Sequence, residues 1–167
     1  MAETDHPSPR LVIELEAGSV EVTLWPDVAP GHVDRVVALA REGAYDGIIF
    51  HRVIEGFMAQ TGDVAHGHFE NGSPRLAGTG GSALPDLALE PSARAHARGT
   101  LGMARAQAPD SANSQFFINM ADNSFLNGQY TVFGAVTSGM EHVDALPRGE
   151  PPARPGRMIR VRMKDDA

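Results

Sequence analysis

Eight short stretches with the look of β-strands, spread between residues 11 and 163, constrain the fold of this chain more than any other feature. Leu11, Ile13 and Leu15 alternate with Val12, Glu14 and Glu16, and after Ala17-Gly18 the alternation resumes with Val20, Val22 and Leu24 against Glu21 and Thr23. A period of two places one set on a buried face and the other toward water, so these residues predict a β-hairpin. Further stretches fall near 48–54, 57–62, 99–104, 115–120, 131–137 and 158–163. Only two segments break the pattern with a helical period. Val33, Val36, Val37 and Ala40 line one side of a helix that begins near Ala29 and that Gly43 is placed to end. A second helix is predicted near Ser138, where Ser138 and Glu141 have the spacing of a capping box and Pro147 a stop. Residues 63–98 and 147–157 lack periodicity and read as loops, the first being either functional or folded over the surface. Eight strands with one early and one late helix make a mainly β fold, a closed eight-stranded antiparallel barrel capped by two α-helices; an open sandwich is the alternative. With 167 residues, 42% of them hydrophobic, the chain can fill a single core, and without cysteine it has neither disulfides nor thiolate metal ligands.

Strand parity separates the residues able to carry chemistry. Phe116, Ile118 and Met120 share one face, and Gln115, Phe117 and Asn119 share the other, so a large aromatic stands on an otherwise polar side. Met58 and Gln60 share a face in the same way, with Arg52 and Phe57 a few residues off. Taken alone, these side chains either lie under the long loop or form a shallow apolar depression with amides at its rim.

The ordered motifs Phe50-His51-Arg52-Val53-Ile54, Gly56-Phe57-Met58-Ala59-Gln60, Gly62-Asp63, Gly78-Thr79-Gly80-Gly81, Gly99-Thr100-Leu101-Gly102-Met103-Ala104, Ser114-Gln115-Phe116-Phe117-Ile118, Phe125-Leu126-Asn127-Gly128 and Val132-Phe133-Gly134 carry more information. Together they make the chain resemble the cyclophilins, a family of peptidyl-prolyl isomerases, and in particular their bacterial branch. The resemblance spans residues 11 to about 163 and implies an isomerase domain over 9–165 after a flexible segment 1–8. It implies a barrel with its active groove on the outer surface, and a catalytic role for Arg52, Phe57, Gln60 and Phe117. Arg52 matches the catalytic arginine. Phe57, Met58, Phe117 and Leu126 match the proline pocket, and Gln60 matches a residue that bonds substrate and holds the arginine. Ala104 and Arg105 match a segment that pairs with the peptide, although Arg105 replaces an asparagine common in eukaryotic members. Gln115 matches the adjoining groove. Phe125 and Tyr130, also on the substrate side, stand where many eukaryotic members carry tryptophan and histidine. Loss of the indole N–H implies weak inhibition by cyclosporin.

The same resemblance implies no cofactor and no metal, and as partners proline-containing peptides and unfolded or folding proteins. The pair His66 and His68, with His96 farther on, is too sparse for a metal site, and Gly78-Thr79-Gly80-Gly81 lacks the Lys-Ser/Thr of a phosphate loop. No Gly-x-Ser-x-Gly elbow supports a hydrolase. A net charge of −7 argues against nucleic acid. The first ten residues lack a signal peptide's basic start and apolar run, and nothing approaches a membrane span, so a cytoplasmic monomer is the expectation. Two rivals remain: a barrel that binds proline segments without catalysis, and a small-ligand barrel with its aromatics around an interior cavity.

Overall fold

The computed structural model describes residues 8–73 and 75–164. Segment 1–8, expected to be flexible, lies outside the described residues except for Ser8, as does residue 165 at the expected domain end. The predicted hairpin is β1 (Arg10–Glu14) and β2 (Ser19–Leu24), paired from Arg10 opposite Thr23 to Glu14 opposite Ser19. Leu11, Ile13, Val20, Val22 and Leu24 are fully buried.

α1 (Pro30–Arg41) follows. Its first residue is proline, which supplies the helical φ and removes one orphan N–H. Ala29 offers no side-chain cap, and the carboxylate of Glu90 takes that role, accepting from the N–H groups of Gly31 (3.1 Å) and His32 (2.9 Å). Gly43, at φ +76°, ends the helix as predicted: its N–H reaches Ala40 O while that of Ala44 reaches Leu39 O. The buried stripe runs through Val33, Val36, Leu39 and Ala40, whereas Val37 is only half-buried.

The strand segments expected over 48–54 and 158–163 are each broken in two. The first divides into β3 (Ile48–Ile49) and β4 (Arg52–Ile54), and the second into β9 (Arg157–Met158) and β10 (Arg160–Met163). Between them in sequence come β5 (Met58–Thr61), β6 (Thr100–Met103), β7 (Phe116–Asn119), β8 (Val132–Ser138) and α2 (Met140–Asp144). The antiparallel sheet has the order β10-β1-β2-β8-β6-β7-β5-β4, so β10 and β4 are its ends and the barrel is not closed by direct pairing, contrary to expectation. β3 and β9 instead pair with each other as a separate two-stranded sheet, and each leads directly into one of the unpaired ends. Phe50 N–H to Gly156 O and Ile159 N–H to Glu14 O extend this seam. The capping box at the second helix is also absent. Ser138 is the last residue of β8, and Gly139, at φ +88°, begins α2 without a side-chain cap.

The interior is filled. Tyr45, Phe50, Phe116 and Phe133 are fully buried, with Phe116 edge-on to Tyr45 (5.5 Å) and to Phe133 (6.1 Å). This removes the small-ligand barrel, because Phe116 faces inward and Phe117 outward, as parity requires. No helix among the described residues is long and apolar enough to cross a membrane.

Candidate active site

A second, smaller hydrophobic cluster lies on the outer face of the sheet. Met58, Phe117 and Leu126 form its buried part, with Ile54, Phe57, Ala104 and Tyr130 against them. Register explains the meeting. Gln60 of β5 is directly opposite both Arg52 of β4 and Phe117 of β7, and Gly102 of β6 is opposite Phe117 on its other side. One row across four strands therefore reads arginine, glutamine, phenylalanine, glycine. A cavity of about 160 Å³ opens over it, lined by Arg52, Phe57, Met58, Gln60, Ala104, Arg105, Phe117, Leu126 and Tyr130.

Gly102 lets that row work. A Cβ there would stand 2.4 Å from Cζ of Phe117 and 2.9 Å from Cε1 of His96, so only hydrogen leaves room for the ring. His96 is buried and stacks on Phe117 at 5.9 Å, with Nε2 bonded to the carbonyl of Tyr130 (3.0 Å). A carbonyl only accepts, so Nε2 carries the proton and Nδ1 faces the amide of Asn119. Burial pushes the His96 pKa down, more strongly than the Tyr130 contact raises it, which keeps the ring neutral. Asn119 continues to Thr100, and Asn123 to Asn119 (2.7 Å) and to the carbonyl of Phe57 (3.0 Å). This buried polar network ties the 3₁₀ turn Ser124–Leu126, which delivers Leu126, to the strands beneath it. Sequence reasoning missed both Gly102 and His96. Gly102 meets Phe117 through the register of β6 on β7, which alternation within either strand does not reveal.

Arg52 stands at the rim with its side chain 41% exposed. Nη1 donates to Oε1 of Gln60 at 3.4 Å, Gln60 Nε2 to Oε1 of Gln115 at 3.0 Å, and Gln115 Nε2 to the carbonyl of Gly80 at 2.9 Å. Arginine can only donate and a carbonyl can only accept, so the two ends fix both amide orientations. The shorter contact of Arg52 is with a residue outside the sequence motifs: Nε donates to Oε1 of Glu150 at 2.9 Å.

The loop 63–98 is folded over the surface and supplies one side of a polar cleft of about 440 Å³ that continues the groove. Asp63 is buried and accepts from Ala65, His66, Gly78 and Gly80 N–H, so a single carboxylate shapes the glycine-rich turn. Gln115 lines this cleft rather than the apolar cavity, and Gln60, Ala104 and Arg105 belong to both. Arg105 lies over the ring of Tyr130 (4.5 Å) and is tied to the carbonyl of Gln129 (2.9 Å), a wall between the two. Phe125 is not among the lining residues. It is 66% exposed at the edge, its ring 5.8 Å from that of Phe57. The histidines do not converge: His68 Nδ1 accepts from Glu70 and Asn71 N–H, while His96 stands behind Phe117. Among the described residues no three His, Cys, Asp or Glu are grouped to hold a metal ion.

An apolar socket beside a fixed cation suits a small aliphatic ring next to an amide. Comparison with known proteins agrees. Residues 10–164 match the model of the family described as cyclophilin type peptidyl-prolyl cis-trans isomerase/CLD. A probable peptidyl-prolyl cis-trans isomerase of Brucella suis is 53% identical over 149 residues, covering 89% of this chain and 76% of that protein. Peptidyl-prolyl cis-trans isomerase B of Bacillus subtilis is 41% identical over 138 residues, covering 81% and 89%. Among solved structures, the cyclophilin AquaCyp293 of Hirschia baltica superposes with a TM-score of 0.81 at 25% identity, covering 95% of this chain and 74% of its own. A Cryptosporidium parvum cyclophilin type isomerase, crystallised in the presence of the dipeptide Ala-Pro, gives 0.81 at 26% identity, covering 94% and 99%.

Proposed function

The chain belongs to the cyclophilin-type peptidyl-prolyl cis-trans isomerases, and we propose that it rotates X–Pro bonds in the outer groove between Arg52 and Phe117. The observation that carries this reading is the row Arg52, Gln60, Phe117, which sets a guanidinium at the mouth of a cavity of about 160 Å³ whose floor is the apolar cluster of Met58, Phe117 and Leu126. The Ala-Pro dipeptide used with the Cryptosporidium relative supports a proline ligand here.

Rotation about a peptide bond meets a barrier of roughly 18–20 kcal/mol, set by conjugation of the nitrogen lone pair with the carbonyl. As the bond twists, the lone pair localises on the imide nitrogen. A donor aimed there stabilises the twisted state more than either planar one. Arg52 fills that role, being permanently charged and rich in N–H donors. Phe57, Met58, Phe117 and Leu126 hold the proline ring, while Gln60 steadies the arginine and bonds the substrate backbone. Ala104 and Arg105 run beside the peptide, Gln115 borders the residues flanking it, Tyr130 closes the far side, and Phe125 stands at the exposed edge.

Magnitudes divide the work. A hydrogen bond to a charged group contributes about 1.5–3 kcal/mol, whereas a million-fold acceleration requires about 8. Arg52 therefore supplies part of the effect. The dry pocket supplies more, by fixing the ring while the preceding carbonyl swings and by strengthening the arginine contact. Incompletely folded proteins with accessible X–Pro bonds are the substrates this groove suits, with the protein acting as a monomer in the cytoplasm. A protease-coupled proline assay on the wild type and Arg52→Ala tests the reading: the variant stays folded and loses most activity, and an unchanged kcat/KM refutes the assignment.

A further inference from the structure

We infer that Glu150 is a positioning residue for the isomerisation, its carboxylate holding the Nε edge of Arg52 so that the remaining guanidinium N–H groups face the proline pocket. This rests on the proposed role of Arg52. Of its five N–H donors, the one on Nε goes to Glu150 and one on Nη1 to Gln60, which leaves one on Nη1 and both on Nη2. The two anchors are unequal. At 3.4 Å the Gln60 contact lies beyond ordinary hydrogen-bond length, while the 2.9 Å contact with the carboxylate lies within it.

A flexible surface carboxylate would hold little, because ordering two long side chains offsets what an exposed pair gains. The backbone of Glu150 is ordered beforehand. Gly149 and Val53 exchange two N–H to carbonyl bonds of 2.9 Å, so residues 148–150 dock on the outer edge of β4. Arg148 on one side pairs with Glu55 (2.8 Å) and donates to the carbonyls of Asp144 and Leu146 at the end of α2. Glu150, on the other side, is thereby set opposite Arg52. Gly149 has φ +141°, and a Cβ there would lie 2.6 Å from Cα of Pro152, so this docking needs glycine. Glu150 is 56% exposed, and water screens its charge, so the net effect on the arginine is directional.

The test compares Glu150→Ala with Glu150→Gln, which keeps an acceptor and removes the charge. Glu150→Ala is expected to lower kcat about three- to tenfold with KM unchanged, and Glu150→Gln to stay within about twofold of the wild type. Glu14→Ala, which breaks the ion pair with Arg162 between β1 and β10, leaves kcat unchanged. By NMR the Arg52 Nε–H exchanges slowly with water in the wild type and in Glu150→Gln, and fast in Glu150→Ala. In an Arg52→Ala background Glu150→Ala has no further effect. Unaltered kcat or Nε–H exchange in Glu150→Ala overturns the inference, as does equal damage from Gln and Ala. If Arg52→Ala alone is fully active, the site assignment fails; if it is impaired while Glu150→Ala is not, only the role of Glu150 fails.

Discussion

The floor of the groove and its rim are built by opposite means. Phe117, at 5% exposure, is fixed by volume: His96 stacks behind it, Gly102 leaves it room, and Asn119 and Asn123 tie the turn above to the strands below. Arg52 is fixed mainly by direction, through two hydrogen bonds at a half-exposed position, with its guanidinium 6.0 Å from the ring of Phe57. The difference teaches how such a groove divides its labour. A floor that binds a ring needs shape, and shape comes from burial. A donor that acts on a rotating bond must remain near solvent and keep its orientation, so it is guyed by polar partners from either side.

The comparison breaks most visibly at the rim. Arg52→Ala should lower kcat/KM about 10- to 100-fold, the worth of one charged hydrogen bond, while the urea midpoint stays near the wild-type value because the side chain carries little of the core. Equal losses in stability and activity would show that rim and floor are one unit. At the floor, Gly102→Ala should raise KM about tenfold and destabilise the fold by about 1–3 kcal/mol, since the added methyl must move Phe117. A crystal structure showing Phe117 in place beside the new methyl would contradict the account.

Acid separates the two regions more gently. Burial lowers the pKa values of His96, His32 and His51 below the ordinary histidine value, so between about pH 6.5 and their folded values the unfolded chain binds more protons than the native one. Stability is therefore present in full above that range and falls as pH drops through it. Glu90 acts in the same direction: burial raises its pKa, but the His32 side chain and the backbone N–H groups it caps outweigh this and lower it. Urea midpoints should decline from pH 7 to pH 5, and His96→Gln should flatten part of that slope; a level profile would show that the floor does not depend on neutral imidazoles. The smallest effect concerns the far edge. Cyclosporin should inhibit weakly because Phe125 offers no indole N–H, and tight inhibition at low nanomolar drug would remove that reasoning.

Much of the floor was legible in the sequence. Period two placed Phe116 inward and Phe117 outward, and the same rule joined Met58 to Gln60. Helix α1 was read from its stripe and from Gly43, although its true cap, Glu90, is 59 residues from Gly31 and left no local sign. The rim was half legible. Arg52 and Gln60 belong to adjacent motifs, but Glu150 is 98 residues from Arg52 in a proline-rich stretch without periodicity, where only tertiary docking brings it near. The open ends of the sheet escape the sequence pattern for a related reason. A continuous apolar run over Ile48, Ile49 and Phe50 gives no hint that the chain changes partners between β3 and β4, and the open ends of the sheet follow from that change.

The docking of Gly149 on β4 also bears on how this protein coexists with its own substrates. A terminal strand with free N–H and carbonyl groups is a template on which any extended chain can add, and the bound segment then seeds aggregation. Here that strand borders a groove suited to extended peptides. With Val53 already paired on its outer side, a visiting chain is offered a pocket for its proline and no backbone ladder to join along β4, so the encounter can end in release.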